Sequence, residues 1–230
     1  MEQYQTIIEL LALSMGVAWA SGINLYAVLL VLGIGGASGN IALPEQLQIL
    51  QDPMVIAAAG LMYLVEFTAD KTPGVDTVWD SLHTVIRLPA GALLAAGIVG
   101  DVQPAWMVAA AIVGGGIAAT SHFTKAGSRI MINTSPEPFS NWGASLAEDI
   151  AVLGGLWMAL QHPLLFLLML ALFLALAVWL LPKLWRFIKI LLVKIRDFLG
   201  GTRTDASEPD NSKTTLDTDA IRQSLPDPKR

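Results

Sequence analysis

The sequence predicts an all-α integral membrane protein of about six transmembrane helices, an internal repeat, a basic amphipathic helix and a disordered tail. Three observations predict the membrane class. Hydrophobic residues make up 54% of the chain and charged residues only 14%, whereas soluble domains carry about 25% charged residues. Apolar runs near the ~20-residue bilayer-spanning length recur as far as Leu181. Lysine and arginine are gathered in a few places instead of being spread along the chain.

The expected spans, in order, are Thr6–Gly36, Pro53–Asp70, Val78–Gly100, Pro104–Lys125, Gly143–Gln161 and Pro163–Leu181. Together they form a transmembrane domain over 1–182. The start, `MEQYQTIIELL`, has no Lys or Arg. It lacks the positive n-region of a secretory signal, so it is expected to be retained. The first span is too long for one straight crossing and contains `ASGINLY`. Ser21, Gly22 and Asn24 read either as a small-residue packing face or as a break, since glycine weakens a helix by about 1 kcal/mol relative to alanine. Whether this segment is one broken span or two is open at this stage.

Lys71 and Arg87 border the second connection, Lys125 and Arg129 lie in or beside the fourth, and the other cations follow Pro182. The positive-inside rule then puts those connections and the C-terminus in the cytoplasm. With six spans the N-terminus joins them; two passes in the first segment would move it outside. After Pro182, `KLWRFIKILLVKIRDFLGG` interleaves Lys183, Arg186, Lys189, Lys194 and Arg196 with apolar residues. Positions 183–199 are expected to form a basic amphipathic helix on the anionic inner leaflet. Composition then turns to Asp, Ser, Thr, Pro and Lys, which predicts a disordered cytoplasmic tail over 200–230.

Two regions echo each other. Gly60, Phe67-Thr68, Trp79, Ser81-Leu82, Ile86 and Gly91 recur as Gly116, Phe123-Thr124, Trp142, Ser145-Leu146, Ile150 and Gly155. Each copy reads as helix, polar turn, helix. Transporters often carry such repeats, with the site at the repeat interface. The echo would bring `EFTADK` and `DSLHTVIR` to face `SHFTK` and `SLAED`, so that Glu66, Asp70, Asp80, Glu148 and Asp149 meet Lys71, Arg87, Lys125 and Arg129.

Ionisable residues inside a bilayer cost about 2.5–3.5 kcal/mol on insertion scales and need a reason. Glu148 and Asp149 enter an apolar run but point ~100° apart. They are expected to find different partners, one at Lys125 or Arg129 and the other at a cavity; headgroup placement near a helix N-terminus is the plain alternative. Asp80, His83 and Arg87 share a helix face. That face is either a solvated stripe or a titratable wall, with His83 as its switch. Pro89 is expected to kink this helix, and Asp76 to cap its start. Candidate site residues are therefore Asn24, Glu66, Asp70, Lys71, Asp80, His83, Arg87, Lys125, Arg129, Glu148 and Asp149.

The segments `SGINLYAVLLVLG`, `VEFTADKTPGVDTVWDSLHTVIRLPAGALLA`, `KAGSRIMINTSPEPFSN` and `SLAEDIAVL` carry a resemblance. The chain resembles the bacterial membrane-protein family catalogued as domain of unknown function 4126 over most of Leu10–Leu170. The resemblance implies a multi-pass inner-membrane protein and no particular activity.

Several function classes are excluded or unsupported. There is no cysteine, which removes disulfides and thiolate chemistry. The glycine-rich `GIGGASG` and `VGGGIAA` follow no strand and are not nucleotide fingerprints. No basic footprint suggests nucleic acid. No hydrolase set or cofactor motif stands out, and although His83 and His122 with carboxylates are of the type that could hold a divalent ion, no tight ligand spacing supports one. The leading expectation is a small transporter or channel for an ion or small anionic solute, with a polar cytoplasmic-side site. Alternatives are a lipid-carrier flippase, a membrane scaffold that binds a partner, and a membrane-embedded enzyme. The expected partner is the bilayer itself, with homo-oligomerisation open.

Overall fold

The computed structural model describes residues 2–199 except 73, 101 and 135–137. Among these residues all regular structure is helical: α1 (Glu2–Ala37), a short 3-10 helix (Glu45–Gln51), α2 (Pro53–Ala69), α3 (Val75–Ile98), α4 (Pro104–Ile132), α5 (Pro138–Gln161) and α6 (Pro163–Leu199). Helices α2, α4, α5 and α6 all begin on a proline, which suits a first turn whose N–H has no intrahelical partner. Asp52 caps α2, its side chain accepting from the Met54 N–H at 2.7 Å.

Helix α1 is two arms joined at Asn24, whose backbone is extended (φ −145°, ψ 95°). The Asn24 Oδ1 accepts from the Ala27 N–H at 3.0 Å, as an N-cap residue does for the turn that follows it. The second arm folds back along the first. Asn40, Ile41 and Ala42, just past its end, share a cleft with Thr6, Glu9, Leu10 and Leu13. The first arm is about 33 Å long and the second about 20 Å at ~1.5 Å per residue, so both leave Asn24 in the same direction. The first arm begins beside the α3–α4 connection, where Thr6, Ile7 and Leu10 line a cleft of about 440 Å³ with Val99, Val102 and Trp106.

Five to six helices are long and apolar enough to span a membrane, as expected. The N-terminal arm starts at the end of the bundle opposite the α2–α3 and α4–α5 turns, because α1 folds back at Asn24. Helix α2 is shorter than a full span. Its 17 residues meet the 3-10 helix at 69°, and the second arm of α1 packs beside it, with Leu30 over Gly60 and Gly33 against Leu50 and Ile56.

The α1 helix is the hub. It packs on α2, α3, α4 and α5, while α3 and α4 share the most extensive contact. Close approach requires small residues on α1 and α3 where they meet α4. A Cβ on Gly22 would collide with the Ser121 hydroxyl and the Ala118 carbonyl, and one on Gly91 with the Ala118 side chain. Val17, Ile23, Val28, Leu32, Ile98 and Leu156 fill the core. The outward faces are apolar too: Leu61, Val85, Leu93, Ile112 and Leu172 are exposed. A helix bundle that is apolar inside and out is a membrane protein's surface pattern. Helix α3 runs through Pro89 as one element.

Helix α6 runs through Pro182 to Leu199 as one element, so the boundary expected at 183 falls inside a helix. Lys183 and Lys189 lie over the rings of Trp179 and Trp185. The disordered tail expected over 200–230 lies outside the described residues.

Candidate functional site

The site begins with the way α2, α3, α4 and α5 meet. The α2–α3 and α4–α5 turns lie together: Arg129 Nη1 donates to the Asp70 carbonyl at 3.0 Å, and the Asn133 side chain donates to Asp76 at 2.8 and 2.9 Å. Below these turns, each helix contributes charge. The α2 end supplies Glu66 and Asp70, α3 supplies Asp80 and Arg87, α4 supplies Lys125 and Arg129, and α5 supplies Glu148.

These residues form one network. Arg87 donates to Glu66 Oε1 at 2.5 Å and to Asp80 Oδ1 at 2.9 Å. Lys125 Nζ lies 2.8 Å from Asp70 Oδ2, 3.4 Å from Glu148, 3.6 Å from Glu66 and 3.7 Å from Asp80. Arg129 grips both oxygens of Glu148 through Nε at 3.0 Å and Nη2 at 2.6 Å, a bidentate fork that fits the planar guanidinium. Glu66, Arg87 and Arg129 are wholly buried and Lys125 nearly so. The sequence treated Arg87, Lys125 and Arg129 as connection charges that mark the cytoplasm. The structure places them in the helix interior, where several carboxylates compensate each cation. The Asp80, His83 and Arg87 face is likewise buried and is not a solvated stripe.

The network reaches the α1 break. Lys125 Nζ also donates to the Ile23 carbonyl at 3.1 Å, and Asn24 Nδ2 donates to Asp149 Oδ1 at 3.1 Å. Thus a cation meets the carbonyl end of the first arm and an acid approaches the N–H end of the second. Both placements match the partial charges of helix ends. Glu148 and Asp149 do find different partners on different faces.

The remaining candidates lie at the edges. His83 stacks on Trp79, with ring centroids 4.2 Å apart, and sits 3.1 Å from the Tyr26 hydroxyl; it does not join the ion pairs. Lys71 stays in the α2–α3 turn and donates to the Phe67 carbonyl and the Ser145 hydroxyl, both at 3.2 Å. Partial burial holds its ammonium below the ordinary lysine range. His122, outside the candidate site residues, lies 2.7 Å from the Thr84 hydroxyl and 3.3 Å from Arg87 Nη1. Asn133 and Asn141 were missed. Asn141 donates to Asn133 Oδ1 at 2.7 Å, and the pair ties α5 to Asp76 of α3. Their signal was the polar run `INTSPEPFSN`, which carried too many polar residues to single out two.

The echo regions do meet at their polar ends, but paired positions differ in role. Trp79 stacks on His83, whereas Trp142 is exposed. The pockets at Trp19–Phe166 and at Leu64–Trp79 are apolar, and the cation-bearing residues do not line them.

The pattern of the family described as Domain of unknown function (DUF4126) matches residues 11–183. The chain belongs to this family. No curated protein and no solved structure shows a match to it. The DUF4126 region takes in the α1 break, the whole charged network and the membrane-spanning helices as far as Lys183. Most of the basic stretch of α6 and the tail lie beyond it.

Proposed function

We propose that the protein is a small membrane carrier whose working site is the α1 break and the charged network around it. The observation that supports this most is the break itself. A central helix is interrupted at Asn24, deep in the bundle, and its freed Ile23 carbonyl is held by buried Lys125. Discontinuous helices whose ends face buried charge are the usual construction of carrier sites. Stability alone gives no reason for the network, since apolar residues of similar volume commonly serve as well or better than buried ion pairs.

The network does not favour an anionic solute. Arg87, Lys125 and Arg129 each already pair with carboxylates, so an anion would have to displace one. The carboxylates retain spare capacity: Glu66 Oε2, Asp70 Oδ1, Asp80 Oδ2 and Asp149 Oδ2 are buried without hydrogen-bond partners. This supports a site that handles a cation.

The native chain has no cysteine, so accessibility tests carriage without knowing the solute. Ser21→Cys and Ser121→Cys sit buried beside the break. In a carrier, an impermeant thiol reagent should label them slowly from either face of the membrane, in intact cells and in inverted vesicles. Protection from both faces, while the exposed control Ser38→Cys labels promptly, would overturn the proposal.

A further inference from the structure

We infer that Asp149 is a proton-binding site built against the α1 break, which deepens the carrier reading by naming the proton as the coupling ion and rests on that reading for its use. Within the cluster each other carboxylate has a cation within 4.0 Å: Glu66 has Arg87, Asp70 has Lys125, Asp80 has Arg87, and Glu148 has Arg129. Asp149 has none at that distance. Asp76 also lacks a cation, but it receives the N–H groups of Gly74 and Thr77 and both of its oxygens accept from Asn133. Asp149 is only 8% exposed, accepts from Asn24 through Oδ1, and leaves Oδ2 buried with no partner.

The groups facing it leave its charge uncompensated. From α1 comes the Asn24 amide, which cannot ionise. From α2 come the Tyr63 phenol, which makes no ion pair, and Asp70, which is acidic. Lys71 and Lys125 act on it from farther away. Lys71 is committed to Phe67 and Ser145, and Lys125 to Asp70 and Ile23. Glu148 precedes it on α5 and is turned toward Arg129. A carboxylate buried without a paired cation is neutralised instead. A metal ion is not the fitting ligand, because among the described residues no group of three or more His, Asp or Glu is placed to hold one.

The chemistry is a single protonation. A proton from water forms an O–H bond at Oδ2, the carboxylate charge disappears, and no electron changes hands. The Asn24 contact links this event to the fold. The same side chain that meets Asp149 through Nδ2 caps the second arm through Oδ1. Release of the proton puts a negative charge at the N-terminal end of that arm, where the helix dipole attracts it. Proton occupancy thus biases how tightly the arm is held to α5.

Infrared difference spectroscopy of the purified full-length protein in detergent, with no gradient, tests the proton directly. At neutral pH the wild type should show the C=O stretch of a protonated carboxylic acid, with a component that Asp149→Asn removes. No acid band in the wild type, or a band unaltered in Asp149→Asn, would overturn the inference. Should that variant fail to fold, Asn24→Ala removes the hydrogen bond to Oδ1 and should shift the band to higher frequency; an unshifted band overturns the inference equally. The spectrum needs no transport. An Asp149 band without two-sided thiol labelling defeats the carrier reading alone, and labelling without the band defeats the proton site alone.

Discussion

The two ends of the bundle are built by different physics. At the end that holds the 3-10 helix and the α3–α4 connection, close packing does the joining. Leu47 sits against Gly97, Gln46 against Gly100, and Leu50 against Gly33, and the nearby connections 38–52 and 99–103 contain no Lys or Arg. At the other end, side chains long enough to cross between helices do the joining, through buried ion pairs among α2, α3, α4 and α5. Packing tolerates loss of one methylene group by small adjustments, whereas a buried charge that loses its partner has no adjustment available except neutralisation or water. The charged end should therefore be the fragile one, and also the one able to change state.

The sharpest way to break this comparison is Lys125→Met. It leaves Asp70 without its nearest cation and frees the Ile23 carbonyl. The expected loss is about 3–5 kcal/mol, measured by chemical unfolding in detergent. A loss under about 1 kcal/mol, the range of an exposed pair, would show that water already fills this end. Lys125→Arg should restore only part of the loss, because a planar fork cannot reproduce a point ammonium that reaches both Asp70 and Ile23.

Next in size is Gly22→Val, placed where α1 and α4 touch. Its Cβ would strike the Ala118 backbone carbonyl, which cannot rotate away. Overpacking of this kind costs about 1–3 kcal/mol. Gly97→Ala at the opposite end meets only the flexible Leu47 side chain and should cost less in the same assay. A reversed order would mean that the packed end, not the break, is the rigid part.

A third test addresses which end faces which side. Tyr4→Cys and Ser38→Cys should label from one side of the membrane and Thr72→Cys from the other; all three positions are exposed. Labelling of Tyr4→Cys and Thr72→Cys from the same side would contradict the folding back of α1. By the positive-inside rule, the Thr72 side is proposed to be the cytoplasm. The smallest effect is expected for Glu45→Gln. Glu45 opens the 3-10 helix and is exposed, so unfolding free energy should stay within about 0.5 kcal/mol of wild type.

Much of the site was legible from cost. Glu66, Glu148 and Lys125 stood in or beside apolar runs, and an ionisable residue there must be paired or hydrated. The adjacency of Glu148 and Asp149 implied separate partners by helix geometry. What the positive-inside count leaves out is burial, since it treats each Lys or Arg near a span end as solvated, whereas Arg87, Lys125 and Arg129 are buried. A cation on a helix end and one buried a turn or two inside it look alike in sequence, because four carboxylates brought from other helices decide between them. Asn133 and Asn141 were illegible for a related reason: amides carry no charge, and their cost appears only when burial is known.

By itself the sequence determined the membrane class, the proline-led starts of α2, α4 and α6, and the weak point of the first apolar segment, because hydropathy, the missing proline N–H and the glycine-asparagine pair act within one stretch of chain; α5 begins five residues before the Gly143 expected. Tertiary structure alone decided that the weak point becomes a fold-back and not a gentle bend. An extended residue at Asn24 frees a carbonyl and the first N–H groups of the returning arm; Asn24 itself caps the Ala27 N–H, but partners distant in sequence hold the rest, Lys125 from α4 the Ile23 carbonyl and Asp149 from α5 the capping Asn24 amide. The energy of that arrangement resides in contacts more than a hundred residues apart along the chain, beyond the reach of any local pattern.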